Sequence, residues 1–68
     1  MNENIYHRIE VTGFSKKSIE DAVQKAVEKV AEEHKYVRLF EVTGLKGEVC
    51  DNLLCNWMVT IKIDFEIR

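Results

Sequence analysis

The C-terminal end of this chain constrains its fold more than any other feature. From Leu54 to Ile67 the side chains alternate almost without interruption. Trp57, Val59, Ile61, Ile63, Phe65 and Ile67 fall on one side, and Met58, Thr60, Lys62, Asp64 and Glu66 on the other. A period of two marks a β-strand with one buried face. Its length and regularity suit the centre of a sheet, so the rest of the chain must supply flanking strands and an apolar cover.

Three earlier segments qualify. Ile5, His7, Ile9 and Val11 alternate with Tyr6, Arg8, Glu10 and Thr12, which predicts a first strand ending at Gly13. Ile19, Ala22, Val23, Ala26, Val27, Val30 and Ala31 then form a single stripe at helical spacing, with Glu20, Gln24, Lys25, Glu28, Lys29 and Glu32 opposite. Ser15 and Ser18 are both candidate N-caps. Ser18 has Asp21 three residues on, a variant of the capping box, and Glu20 and Asp21 favour the positive end of the helix. Between Val37 and Val49 a second strand is expected, with Phe40 and Val42 on one side and Leu39, Glu41, Thr43 and Leu45 on the other. Gly44 and Gly47 signal a bulge or bend in it. Asp51-Asn52 is turn chemistry.

The order is β-α-β-β. The helix returns the chain so that the first two strands run parallel with a gap between them, and the hairpin sends the last strand back antiparallel into that gap. The expected fold class is α+β. It is one domain over residues 1–68, a three-stranded antiparallel sheet partly wrapping one helix. Only one sheet face can then be covered from within. The other is expected to carry Leu39, Leu45, Val49 and Met58, with Tyr6, among polar residues. Clustered apolar groups on an uncovered face normally meet another subunit. A core of this size also supplies only about 3–5 kcal/mol unaided. Self-association is therefore expected.

Ten basic and twelve acidic side chains leave a net charge of −2, which argues against a phosphate-backbone binder. No nucleic-acid partner is expected. No apolar run approaches the ~20 residues of a membrane span. The opening MNENIYHRIE lacks the basic start and apolar stretch of a secretion signal, so a cytoplasmic location is the default expectation.

Candidate chemistry is sparse. Cys50 and Cys55 flank the turn and would face each other across a four-residue loop, where a disulfide is geometrically open to them. In a cytosolic protein the expected state is two free thiols. C-x4-C without further Cys or a nearby His is not a zinc pattern, and no metal site is expected. Glu41, Glu48, Asp51 and Asp64 offer oxygen ligands of the type Ca2+ takes, but read as solvated strand and turn charges. His7 and His34 read as structural. No nucleophile–base pair, phosphate loop or metalloprotease motif is present, and no catalysis is expected. Trp57 belongs by alternation to the helix-facing side, as a packing residue.

Several stretches, in order and without gaps, resemble the dodecin family over nearly the whole chain. They are T-G-x-S at Thr12, Gly13 and Ser15, S-I-E-D-A at Ser18–Ala22 with the helix that follows, F-E-V at Phe40–Val42, and V-T-I-K-I at Val59–Ile63. The resemblance implies twelve β-α-β-β protomers in a hollow homododecamer. It implies non-enzymatic storage or sequestration of flavins, riboflavin or FMN, held in pairs between subunits. Flavin-holding members carry a ring-stacking Trp just before F-E-V, and a Gln that bonds the ring's polar edge just before V-T. Here those positions are Leu39 and Met58, with Leu45 as a neighbour. Leu has no π face and Met only a weak sulfur acceptor. Stacking on a flat heterocycle is worth ~1–3 kcal/mol per contact. Flavin affinity is therefore expected to be weakened or altered. The competing expectation is the same shell holding a metal ion or another small ligand, or serving only as a scaffold.

Overall fold

The computed structural model describes residues 5–67. The elements are β1 (Ile5–Ser15), α1 (Ile19–Ala31), β2 (Val37–Cys50) and β3 (Leu53–Ile67). The sheet order is β1-β3-β2 with both pairings antiparallel, as expected from the strand pattern and the single crossover helix. Among the described residues no helix is long and apolar enough to cross a membrane.

β1 does not stop at Gly13; it runs on to Ser15, which pairs with Trp57. Gly13 serves a different purpose. A Cβ built there would overlap the carbonyl oxygen of Ala22 and crowd the Ala26 Cβ, so its bare backbone lets α1 lie directly on β1. The helix meets the sheet through small side chains. Ala22, Ala26 and Val30 pack on Val59, Ile61 and Ile63, with Ile9, Val11, Val23, Val27 and Val37 around them.

Of the two candidate caps, Ser18 is the N-cap: its hydroxyl accepts the backbone N–H of Asp21 at 3.0 Å. Ser15 ties the junction from below. Its buried hydroxyl donates to the Asp21 carboxylate at 2.6 Å and accepts the backbone N–H groups of Lys17 and Ser18. Asp21 is held below its ordinary pKa, first by that hydroxyl and then by Lys25.

The hairpin closes on two residues. Asp51 and Asn52 have φ of 52° and 66°, the double left-handed pair of a tight hairpin turn that Asp and Asn tolerate best. Three bulges interrupt the ladder. Arg38 and Thr43 are extra residues on β2, and Cys55 is an extra residue on β3.

The bulge at Thr43 corrects the sequence reading of β2. Up to that point Phe40 and Val42 oppose Ile63 and Ile61, and Leu39 and Glu41 oppose Asp64 and Lys62, as expected. Beyond it Leu45 opposes Val59 and Gly47 opposes Trp57. Leu45 therefore sits on the helix side, not with Leu39 and Met58, and strand alternation carries Val49 with it.

α1 leans on β1 and β3 and barely touches β2. Between helix and β2 lies an open cleft of about 320 Å³, lined by Ile19, Glu20, Val23, Gln24, Phe40 and Val42. β2 is consequently exposed on both faces. The fold extends over 55 × 20 × 13 Å, with a radius of gyration of 14.1 Å. A compact domain of this length would have about 11 Å.

Candidate functional site

The outer face of the sheet, away from α1, is where Leu39 and Met58 both lie. At one end Leu39 opposes Asp64. At the other Met58 stands between Phe14 on β1 and Lys46 on β2. Six residue steps along β3 separate Met58 from Asp64, roughly 20 Å at strand rise. A ring-sized ligand cannot touch both within one protomer. Leu45 lies on the opposite face, so the three positions do not form one pocket within a single chain.

Between the two ends the outer face is polar and internally bonded. Arg8 grips Asp64 through two contacts, Nε to Oδ1 at 2.6 Å and Nη2 to Oδ2 at 3.0 Å. This fork holds the Asp64 carboxyl below its ordinary pKa and raises that of Arg8. Thr12 and Thr60 share a hydroxyl–hydroxyl bond at 2.9 Å, and the bulged Thr43 donates to Glu10 at 3.2 Å. Arg38, the other bulged residue of β2, donates to the buried Glu66 at 3.0 Å.

These pairings disperse the acidic residues considered for Ca2+. Asp64 is taken by Arg8, Glu41 stands opposite Lys62, and Asp51 forms the turn. Glu48 accepts from the Asn56 side-chain amide at 2.5 Å.

The histidines are structural partners of one ring. His7 and His34 both stack on Phe65, with centroids at 5.1 and 3.9 Å. His7 was readable from strand parity, since it opposes Phe65 in register. His34 was not, because it follows the helix and its position depends on how α1 docks. Trp57 lies on the helix side between Ser15 and Gly47, as alternation indicated.

The cysteines depart from expectation. Cys50 opposes Leu53 across the two-residue turn, and the bulged Cys55 reaches back diagonally. Their Cα atoms are 5.8 Å apart and their sulfurs are bonded, so the two thiols expected from sequence are a disulfide here. A shorter loop and a bulge, neither visible in residue spacing, bring them together. Glu48 joins them: its Oε1 lies 3.6 Å from the Cys55 sulfur.

One helix packed in a three-stranded antiparallel sheet, with an edge strand bare on both faces, defines a class of small α+β subunits. The Dodecin family model matches residues 5–68, and the chain belongs to that family. Dodecin from Streptomyces coelicolor is 29% identical, covers 100% of this chain and 97% of its own, and superposes with a TM-score of 0.92. Dodecin from Streptomyces davaonensis has the same fold at 21% identity, with 98% of each chain covered and a TM-score of 0.92. The calcium dodecin of Mycobacterium tuberculosis, a calcium-chelating antigen with a novel calcium-binding site, has it at 22% identity. There 94% of this chain and 91% of the other align, with a TM-score of 0.82. No curated protein matches the chain.

Proposed function

We infer that the chain is the subunit of a non-enzymatic, cytoplasmic shell of twelve copies that binds a small ligand between protomers. The carrying observation is β2. Leu39 is 60% exposed on its outer face, while Phe40 and Leu45 are 53% and 52% exposed on its helix side. A 14-residue edge strand with apolar groups on both sides is an aggregation hazard in a lone monomer. The extended shape supports the same reading, because this protomer buries little of its own surface.

The ligand class is flavin, riboflavin or FMN, at a site altered at Leu39 and Met58. The roughly 20 Å between these positions within one chain fits a ligand shared by two copies. Leu39→Trp with Met58→Gln returns a π face and an amide donor and acceptor. Riboflavin fluorescence titrations of parent and double variant test this, alongside native mass spectrometry for copy number and bound mass. Weak binding by the parent and tight, quenched binding by the variant are expected. Tight binding by the parent would refute the assignment of those two positions. A folded monomer at micromolar concentration would refute the shell. A second reading, a shell for a different small ligand or a metal ion, is favoured by the same missing stack and amide. It prevails if the assembled double variant still ignores riboflavin.

A further inference from the structure

At the tip of the β2–β3 hairpin, Glu48, Cys50 and Cys55 bring a carboxylate oxygen and two sulfurs within 4.8 Å of one another. Among the described residues this is the one group of three metal-ligating side chains so placed. Sequence spacing shows only a C-x4-C pair. The bulge at Cys55 adds the third donor by setting that residue beside Glu48. The Cys55 sulfur to Glu48 Oε1 distance of 3.6 Å is that of two ligands on one tetrahedral centre. Zn–S of ~2.3 Å and Zn–O of ~2.1 Å place S and O about 3.6 Å apart. The carboxylate is also oriented from outside the cluster, since Asn56 Nδ2 donates to the same Oε1 at 2.5 Å. Such outer bonds fix the aim of metal ligands. All three donors are solvent-accessible in the protomer, with Glu48 and Cys50 exposed and Cys55 half-buried.

We propose that the reduced hairpin tip is a binding site for a borderline-soft divalent cation such as Zn2+, held by Cys50, Cys55 and Glu48, and closed when the two cysteines form their disulfide. This goes beyond the flavin reading and does not depend on it. The chemistry balances in two steps. Two equivalents of a small thiol, such as glutathione, reduce the bridge to two protein thiols and become a disulfide themselves. The cation then binds both thiolates and displaces two protons, with the Glu48 carboxylate as third ligand. A fourth position stays open to water. Ligation needs the sulfurs about 3.8 Å apart, so bridge and metal exclude each other. In a reducing compartment the thiol form dominates and the site is available.

Cobalt(II) is the probe, because thiolate ligation in a tetrahedral field produces near-ultraviolet charge-transfer and intense visible bands. The assembled protein is reduced with a phosphine, desalted without oxygen and titrated; a second sample is oxidised with glutathione disulfide. The reduced protein should show these bands, saturating at one ion per chain, and Zn2+ should bleach them. The oxidised protein should show none. Cys50→Ser, which leaves one thiolate, should weaken binding and lower the charge-transfer intensity per bound ion, and Asn56→Ala should weaken binding about 10–100-fold, as loss of an outer-shell bond does. Glu48→Gln should weaken it at least as much. Absence of the bands in reduced parent protein would overturn the proposal. So would equal affinity in parent and Glu48→Gln, or one ion per two chains. The parent comparison needs no substitution, so a variant that fails to fold leaves the test intact.

Discussion

Replacing Gly13 by Ala sets two effects of known size against each other. Gly13 has an ordinary negative-φ backbone, so Ala is conformationally allowed and restricts the unfolded chain. Taken alone that stabilises by about 0.4–1 kcal/mol. The added methyl group, however, lands on the Ala22 carbonyl oxygen and within 3.2 Å of the Ala26 Cβ. The obstacle is backbone of a helix held by its own hydrogen bonds, so it cannot rotate aside. α1 must lift from β1, loosening Ala22 and Ala26 against Val59 and Ile61. Overpacking of this kind costs about 1–3 kcal/mol, and the net expectation is a loss of ~1–2 kcal/mol. Gly44→Ala is the control. Its methyl group meets Thr60 Cβ at 3.5 Å, an ordinary contact, so only the unfolded-state gain remains. Urea unfolding at equal protomer concentration reads both, because the proposed self-association would make the midpoint concentration-dependent. Gly13→Ala should lower the midpoint with an unchanged slope, and Gly44→Ala should leave or raise it. Equal midpoints would show that α1 does not rest on bare backbone at Gly13.

Three further outcomes follow from the geometry. Leu45→Asp should abolish assembly, read by light scattering after size exclusion, since burying an unpaired carboxylate costs several kcal/mol; an intact oligomer would show that the helix side of β2 is not an interface. Asp64 lies below its ordinary value of 3.8, chiefly through its hydrogen bond from Arg8. Its contribution is therefore complete above about pH 4 and is lost as pH falls through the lowered folded value. Asp64→Asn should flatten the acid limb of a stability-against-pH curve, and an unchanged limb would discount the fork. Riboflavin should bind the Leu39→Trp, Met58→Gln variant at least tenfold more tightly than the parent in the titration described above.

Much of the architecture follows from local pattern. Apolar spacing of two and of 3.6 separates the strands from the helix because each backbone geometry presents side chains at its own period. Ser18 and the Asp51-Asn52 pair mark boundaries because their side chains and allowed φ values suit a cap and a tight turn. With one helix and three strands in that order, the antiparallel sheet with β3 in its centre was already legible. The proposal that Leu39 and Met58 are altered ligand positions rests on the family motifs around them.

Register was not legible, and the site depends on it. Parity propagates along a strand, so one extra residue inverts every side chain beyond it. Thr43 is such a residue, and through it Leu45 changes face. Gly44 signalled an irregularity nearby, but not which residue would be extra. Cys55 is another, and it turns a spaced cysteine pair into a disulfide beside Glu48. These bulges arise from how β2 accommodates β3 and its two-residue turn, and that balance of ladder hydrogen bonds exists only once both strands are paired. The bare β2 has the same origin: periodicity identifies the apolar stripe of α1, but only docking against Gly13 decides that the helix covers β1 and β3 and leaves β2 open.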